Sequence, residues 1–255
     1  MKKYELTAEF IEKWGKKLFR IKALISFGSV EAGELGGYVE KEDNLAQDGD
    51  AWVYGDARVY GNTRVYGDAR VYGNAEVYGD ARVYGNARVC DDAWVYGNAR
   101  VYGDARVYGN ARVYGDARVY GNARVCGDAR VYGNAEVYGD ARVYGNARVC
   151  DDAWVYGNAW VCGNAWVCGN ADYLLIGRIG SRFSFTTFFK NKDKGITVSC
   201  GCFLGTIAEF RAKVTDTHGN NKHAKMYNLA ADMAELQILG EEHFDKLNTN
   251  KSEPF

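Results

Sequence analysis

A six-residue repeat constrains the fold of this chain more than any other feature. Twenty consecutive hexapeptides run from Val53 to Asp172, and each reads Val-Tyr-Gly-Asp/Asn-Ala-x with little drift. A period of six fits neither the turn of an α-helix nor the two-residue alternation of a flat strand, and it is shorter than any helical repeat unit. Three short strands joined by three corners do fit it, with three hexads in each coil. The repeat therefore predicts a mainly β chain built on a triangular parallel β-helix.

Each position of the hexad has a role in such a coil. Val points inward and stacks on the Val one coil away, since β-branched side chains suit a packed strand. Ala also points inward, at a tight corner. Gly and Asn or Asp occupy the corner because they tolerate positive φ. Tyr after the Val and, in most hexads, Arg before it point outward, so each face should carry a Tyr column beside an Arg column at a spacing of about 4.8 Å per coil.

The corner residue alternates between Asp and Asn from one hexad to the next, as in Asp56, Asn62 and Asp68. Because a coil holds three hexads, an odd number, Asp is predicted to stack on Asn in every corner column. Two carboxylates about 5 Å apart would repel by roughly 0.8 kcal/mol in water, whereas an Asn amide can hydrogen-bond to the carboxylate.

A longer duplication overlies the hexads. Residues 65–98 recur sixty positions later as 125–158. Such a recent copy indicates loose selection on single face positions. It favours the interpretation of the Tyr and Arg columns as a solvated, well-stacked surface.

Four segments are predicted along the chain. Residues 1–34 form an N-terminal cap with a hairpin that turns near Gly15, because an open end coil would expose unpaired strand edges. Residues 35–172 form the β-helix, with irregular first coils. Residues 173–240 form an α+β C-terminal domain, and 241–255 form a loose tail.

The C-terminal segment departs from the repeat. Thr206 and Glu209 form a capping box that opens a helix with Phe210 and Val214 on its inner face. A second helix follows, with Tyr227, Ala230, Ala234 and Ile238 directed inward. Before them, the predicted strands are Tyr173–Gly180, Phe183–Lys190 and Gly195–Phe203.

Charge and cysteine content bound the function class. The net charge is −1, so no global field favours nucleic acid or an anionic membrane as a partner. The N-terminal residues contain no apolar run of the kind a signal peptide needs. The seven Cys, most of them at Tyr positions of the repeat, are interpreted as free thiols in the cytoplasm.

The most distinctive candidate binding residues are three tryptophans at the end of the repeat. Trp154, Trp160 and Trp166 take the outward position of three successive hexads, one on each face of a single coil. Two interpretations stay open for this Trp collar. It packs against the following domain, or it forms an aromatic ring that binds a partner or a sugar.

A metal or nucleophile site in the C-terminal segment is the weaker candidate. Cys200, Cys202, His218 and His223 could supply a Cys2His2 ligand set, but Cys-x-Cys is not the spacing of a zinc knuckle. Cys202 with His218 could act as a nucleophile pair, without an identifiable orienting third residue. We therefore predict no catalytic residues, no metal and no cofactor.

The hexads resemble hexapeptide-repeat left-handed β-helices, which are aliphatic at one position and small four residues later. More narrowly, Leu35-Gly36-Gly37-Tyr38-Val39-Glu40 is similar to a segment of phage and prophage proteins of unassigned function. Val198-Ser199-Cys200-Gly201-Cys202-Phe203 resembles a C-terminal module of that group. The resemblance implies a left-handed coil and, for a phage-encoded protein, the host cytoplasm as its location.

Two function classes follow. The first is a non-enzymatic solenoid scaffold that recognises a protein partner, or self-associates, through its C-terminal domain. The second is a diverged hexapeptide-type acyltransferase that uses acyl-CoA. Such enzymes carry a catalytic His and a loop that interrupts the coil, and residues 53–172 contain neither. The scaffold is therefore the favoured prediction.

Overall fold

An antiparallel hairpin opens the chain and extends one face of the solenoid. In the computed structural model, which describes residues 1–243, β1 (Tyr4–Lys13) and β2 (Lys16–Ala23) pair through a turn at Trp14 and Gly15. These two turn residues have positive φ, of 51° and 72°. Strand β3 (Leu35–Val39) pairs antiparallel with β2 and parallel with the first solenoid strand of that face. The hairpin predicted near Gly15 is confirmed.

Aromatic rings and one lysine close the first coil. Trp52 is fully buried, and the rings of Tyr4 and Phe27 meet it edge-on at centroid distances of 5.9 and 5.3 Å. Lys3 Nζ donates hydrogen bonds to three main-chain carbonyls of this coil, of which Ala51 O is the nearest at 3.0 Å. Desolvation lowers the pKa of Lys3 from 10.5 to about 8. The carbonyls that an open end would leave to water are thereby satisfied.

The hexads form a parallel β-solenoid of about seven coils, as predicted. In each hexad, Val and the residue before it form a two-residue strand. Arg88–Val89 pairs in parallel with Arg70–Val71 on one side and Arg106–Val107 on the other, so one coil is eighteen residues. Every third strand joins the same sheet, which gives three faces. The strands are β4 (Trp52–Val53), β5 (Arg58–Val59), β6 (Arg64–Val65), β7 (Arg70–Val71), β8 (Glu76–Val77), β9 (Arg82–Val83), β10 (Arg88–Val89), β11 (Trp94–Val95), β12 (Arg100–Val101), β13 (Arg106–Val107), β14 (Arg112–Val113), β15 (Arg118–Val119), β16 (Arg124–Val125), β17 (Arg130–Val131), β18 (Glu136–Val137), β19 (Arg142–Val143), β20 (Arg148–Val149), β21 (Trp154–Val155), β22 (Trp160–Val161) and β23 (Trp166–Val167).

Val and Ala fill the solenoid interior, and Gly makes the corner possible. Every repeat Val is fully buried, and so is nearly every repeat Ala. Gly85 has a φ of 67°, and a Cβ there would lie 3.0 Å from the amide nitrogen of Gly103 in the next coil. Asp91 and Asp151 take this position in two hexads, and both keep positive φ, of 60° and 53°. The corner therefore holds a left-handed conformation whichever residue fills it.

The corner columns contain the predicted Asn–Asp contacts. Each Asn amide Nδ2 donates to the Asp Oδ1 eighteen residues later, at 3.0 to 3.1 Å. The bonds always run in this direction along the chain. The pairs are Asn62–Asp80, Asn74–Asp92, Asn86–Asp104, Asn98–Asp116, Asn110–Asp128, Asn122–Asp140 and Asn134–Asp152.

The three faces are not equivalent. Tyr rings stack continuously on two of them, from Tyr60 to Tyr132 and from Tyr66 to Tyr156, with most centroids 4.8 to 5.1 Å apart. The third face alternates Tyr with Cys over most of its length, so the prediction of a Tyr column on every face is wrong there. On this face a hydrogen bond between Tyr72 and the Cys90 thiol raises the pKa of Tyr72 to about 12.

A small α+β domain follows the last coil and a short 3-10 turn (Asn170–Asp172). Four antiparallel strands lie in the order β24 (Tyr173–Ile179), β25 (Ser184–Lys190), β26 (Ile196–Cys200) and β27 (Phe203–Thr206). The predicted single strand 195–203 is wrong. It breaks at Gly201, whose φ of 59° turns the chain into a hairpin.

Two helices pack on this sheet. Helix α1 (Ile207–His218) begins at the predicted capping box, in which Glu209 N–H donates to Thr206 Oγ1. Helix α2 (Lys222–Leu239) begins after Asn221, whose side chain accepts two main-chain N–H bonds. All the inward residues predicted for both helices are buried.

Within residues 1–243, no helix is long and apolar enough to cross a membrane. Most of the tail predicted to be loose, 241–255, lies outside the described residues.

Candidate recognition surface of the C-terminal domain

The C-terminal domain closes the far end of the solenoid with two aromatic side chains. Tyr173 and Phe189 are 6% and 0% exposed, and both belong to the continuous core of the solenoid. Strand β25 lies across the last coil, where Thr187 Oγ1 accepts the Trp160 main-chain N–H at 3.0 Å. The domain therefore shares the hydrophobic core of the rod, which fixes its position at the end.

Two of the three side chains of the Trp collar remain half exposed. The three side chains belong to strands of three different sheets, so the structure does not bring them together. Trp154 and Trp166 are 49% and 42% exposed, so about half of each of these two residues faces solvent. Arg142 and Arg148 lie over the rings of Trp160 and Trp166, at 4.8 and 5.6 Å. Partner binding by these indoles stays a prediction.

Three of the four candidate metal ligands, Cys200, Cys202 and His218, line a pocket of about 440 Å³. Cys200 and Cys202 flank the β26–β27 turn and His218 ends α1, while the His223 ring is centred 5.8 Å from that of His218. The Cys200 thiol accepts a hydrogen bond from Thr186 Oγ1 at 3.2 Å.

Their ligand atoms nevertheless do not gather at one point. In the described part of the chain, the one group of three potential ligands whose atoms lie within 4.8 Å of one another is elsewhere, at Cys150, Asp151 and Cys168. Cys150 and Cys168 form a disulfide, with Cα atoms 4.4 Å apart. The prediction of seven free thiols is wrong for this pair, because the coil stacks the two residues within disulfide range.

The surface that sequence reasoning missed is the outer side of α2. Met226, Leu229, Met233 and Leu236 are 39%, 63%, 57% and 45% exposed. Their spacing of three, four and three residues places them in one stripe on the helix. We call these four residues the α2 stripe. The same spacing is present in the sequence. Because Ala230 and Ala234 already give α2 one apolar face, the sequence analysis did not predict a second one.

Charges are distributed unevenly along α2. Lys222 and Lys225 lie at its N-terminal end, and the exposed Glu241 and Glu242 follow its C-terminal end. Between them, Arg211 of α1 contacts the carboxylates of Asp232 and Glu235, both at 2.7 Å. The α2 stripe therefore has a basic end and an acidic end.

Fold and surfaces together define a β-solenoid repeat protein with a small α+β domain at one end. The repeats match the family model described as YdcK Beta solenoid repeat, in overlapping segments that begin with 51–67 and 64–79 and end with 147–163. No curated protein matches the chain. The prediction of a β-helix repeat protein is confirmed.

Proposed function

We propose that the protein is a non-enzymatic scaffold in which the solenoid positions the C-terminal domain to bind a protein partner. The observation that carries this proposal is the α2 stripe, since four large apolar side chains in a row on one helix mark an interaction surface. Exposed large aliphatic side chains are absent from the hexads of residues 53–172, whose exposed large apolar side chains are all aromatic, namely Trp154, Tyr156 and Trp166.

The solenoid supports the role of a spacer. Its coils repeat with the same backbone hydrogen bonds, and seven of them extend over about 30 to 35 Å. Because Tyr173 and Phe189 share the core of the rod, the domain follows the end of the rod as a fixed head.

The partner that best fits the α2 stripe is a second copy of the same helix. Alternating spacings of three and four residues are those of a helix that packs against another helix. An antiparallel pair related by a two-fold axis places Met226 opposite Leu236 of the second copy and Leu229 opposite Met233. Each apolar side chain then meets another, and the interface is self-complementary.

The charges favour this antiparallel direction. It brings Lys222 and Lys225 of one copy near Glu241 and Glu242 of the other, whereas a parallel pair would place like charges together. The opposed helix dipoles act in the same sense.

Sedimentation of the full-length chain over a range of concentrations tests the proposal. We expect a dimer that dissociates when both Leu229 and Met233 are replaced by Glu. Leu204→Glu is the matched control, because Leu204 is 52% exposed on β27 and lies off the stripe. A wild-type chain that stays monomeric, or a dimer that survives the double substitution, would show that the second copy is not the occupant.

A phage or prophage origin and a cytoplasmic location belong to the same proposal. They are supported by the resemblance of Leu35–Glu40 and Val198–Phe203 to segments of that group. The genes beside this one provide the test, since phage structural genes and host metabolic genes lie in different surroundings.

A further inference from the structure

The same two-residue variant of the hexad occurs twice, and its two copies differ in one contact. Cys90-Asp91 and Cys150-Asp151 replace the Tyr-Gly of the ordinary repeat. Asp91 Oδ2 accepts the Gly109 main-chain N–H of the next coil at 3.0 Å. An Asp at this left-handed position is strained, and at Asp91 this hydrogen bond compensates for the strain.

At the second copy the corresponding N–H is already taken. Gly169 N–H donates to Asp172 Oδ2 at 3.0 Å, together with the Cys168 N–H. No hydrogen bond holds the Asp151 carboxylate among residues 1–243. This carboxylate instead lies within 4.8 Å of the sulfurs of Cys150 and Cys168.

The neighbouring residue of the next coil also differs. Cys90 is followed one coil later by Tyr108, whereas Cys150 is followed by Cys168. Cys168 therefore lies beside Asp151, the copy whose carboxylate accepts no hydrogen bond from residues 1–243. Cys168 itself lies outside the duplicated stretch, 125–158. A disulfide alone makes no use of Asp151.

We propose that, in the reduced state, Cys150, Asp151 and Cys168 bind one divalent cation of the zinc type. Two thiolates and a carboxylate are ligands that Zn²⁺ takes, at roughly 2.3 Å for sulfur and 2.0 to 2.2 Å for oxygen. The exposed position of Asp151 leaves the fourth position to water. Disulfide and metal complex are alternative states of one site.

The two states interconvert by a balanced sequence. A phosphine reductant supplies two electrons and is oxidised to its oxide by taking the oxygen of one water molecule, and the two protons of that water convert the disulfide to two thiols. Cation binding then releases both protons as the two sulfur–metal bonds form. Either state links the last coil to the coil before it, next to the turn from which the C-terminal domain begins.

Titration of the reduced full-length protein with Co²⁺ under anaerobic conditions tests this site. We expect one Co²⁺ per chain, a thiolate-to-cobalt charge-transfer band, and displacement of the Co²⁺ by Zn²⁺. The disulfide form should show no such band, and Zn²⁺ should raise the melting temperature of the reduced protein alone.

Three variants separate this site from other thiols. Cys168→Ser should abolish the band, which would exclude the exposed Cys202 as its source. Asp151→Gly restores the ordinary repeat residue, and should weaken binding by more than the roughly 10- to 100-fold loss typical of an outer-shell partner. Asp91→Gly is the matched control and should leave the affinity unchanged. No band in the reduced protein, or equal affinity in Asp151→Gly, would overturn the proposal.

Discussion

The solenoid and the C-terminal domain treat their apolar side chains in opposite ways. In the regular coils, every Val lies inside and is fully buried, and the large outward residues are Tyr, Arg or Trp. Helix α2 has an inner side with Ala230 and Ala234 and an outer side with Leu229 and Met233, all of them apolar. The solenoid is therefore complete as a single chain, whereas the domain presents a surface that a second molecule can cover.

The largest effect on stability is expected in the core of the solenoid. Val107→Asp places a carboxylate in the fully buried Val stack, and we expect a loss of several kcal/mol in the free energy of unfolding. Tyr108→Ala, at the adjacent outward position, should cost about 1 kcal/mol or less. Chemical denaturation followed by circular dichroism measures both. A larger loss for Tyr108→Ala would contradict the assignment of inner and outer positions.

A smaller effect is expected where the two regions meet. Phe189→Ala removes a fully buried ring from the end of the solenoid core, and we expect a loss of about 3 kcal/mol. Limited proteolysis near residue 173 should become faster because the domain separates more readily from the last coil.

The Trp collar provides the comparison for this junction. Replacing Trp154, Trp160 and Trp166 together by Arg restores the residue found in most hexads, and should change the cleavage rate far less than Phe189→Ala does. Stronger cleavage in the triple variant would show that the indoles, and not Tyr173 and Phe189, anchor the domain.

The smallest expected effect concerns the corner columns. Asn98→Asp removes the bond to Asp116 Oδ1 and stacks three carboxylates, with Asp80 on the other side. We expect a loss of about 1 kcal/mol at neutral pH. The loss should shrink as falling pH protonates the stacked carboxylates.

Asn164→Asp is the matched control, because its neighbour one coil earlier is Asn146. It creates the standard Asn–Asp pair and should leave the stability unchanged or raise it. Equal losses in the two variants, measured by thermal melts, would show that stacking of like charges is not the cause.

The sequence was sufficient to predict the solenoid because each position of the hexad almost always holds the same type of residue. The Val period and the Asn–Asp alternation each predicted a contact between residues eighteen apart, and the structure contains those contacts. A coil of eighteen residues also places Cys150 beside Cys168, which are eighteen residues apart. Whether the two sulfurs are joined depends on the redox state, which no residue pattern encodes.

The C-terminal domain was predicted less completely because its contacts are not periodic. Local signals were sufficient for the capping box at Thr206 and for the inner face of α2. Tyr173 and Phe189 close the end of the solenoid core only when β24 pairs with β25. A residue pattern along the chain does not show this pairing. The α2 stripe was missed because large exposed apolar residues on a helix contradict the rule that such residues face inward.

The pairing of Asn with Asp in the corner columns limits how this gene can lengthen or shorten. An insertion with an odd number of hexads would place like corner residues on each other, so the tolerated step is two hexads, or twelve residues. The sixty-residue copy contains ten hexads and satisfies this condition. Twelve residues are two thirds of a coil, so each step also turns the terminal domain to another face. Rod length and the direction in which the domain points should therefore have evolved together, and only every third step, two full coils, changes length alone.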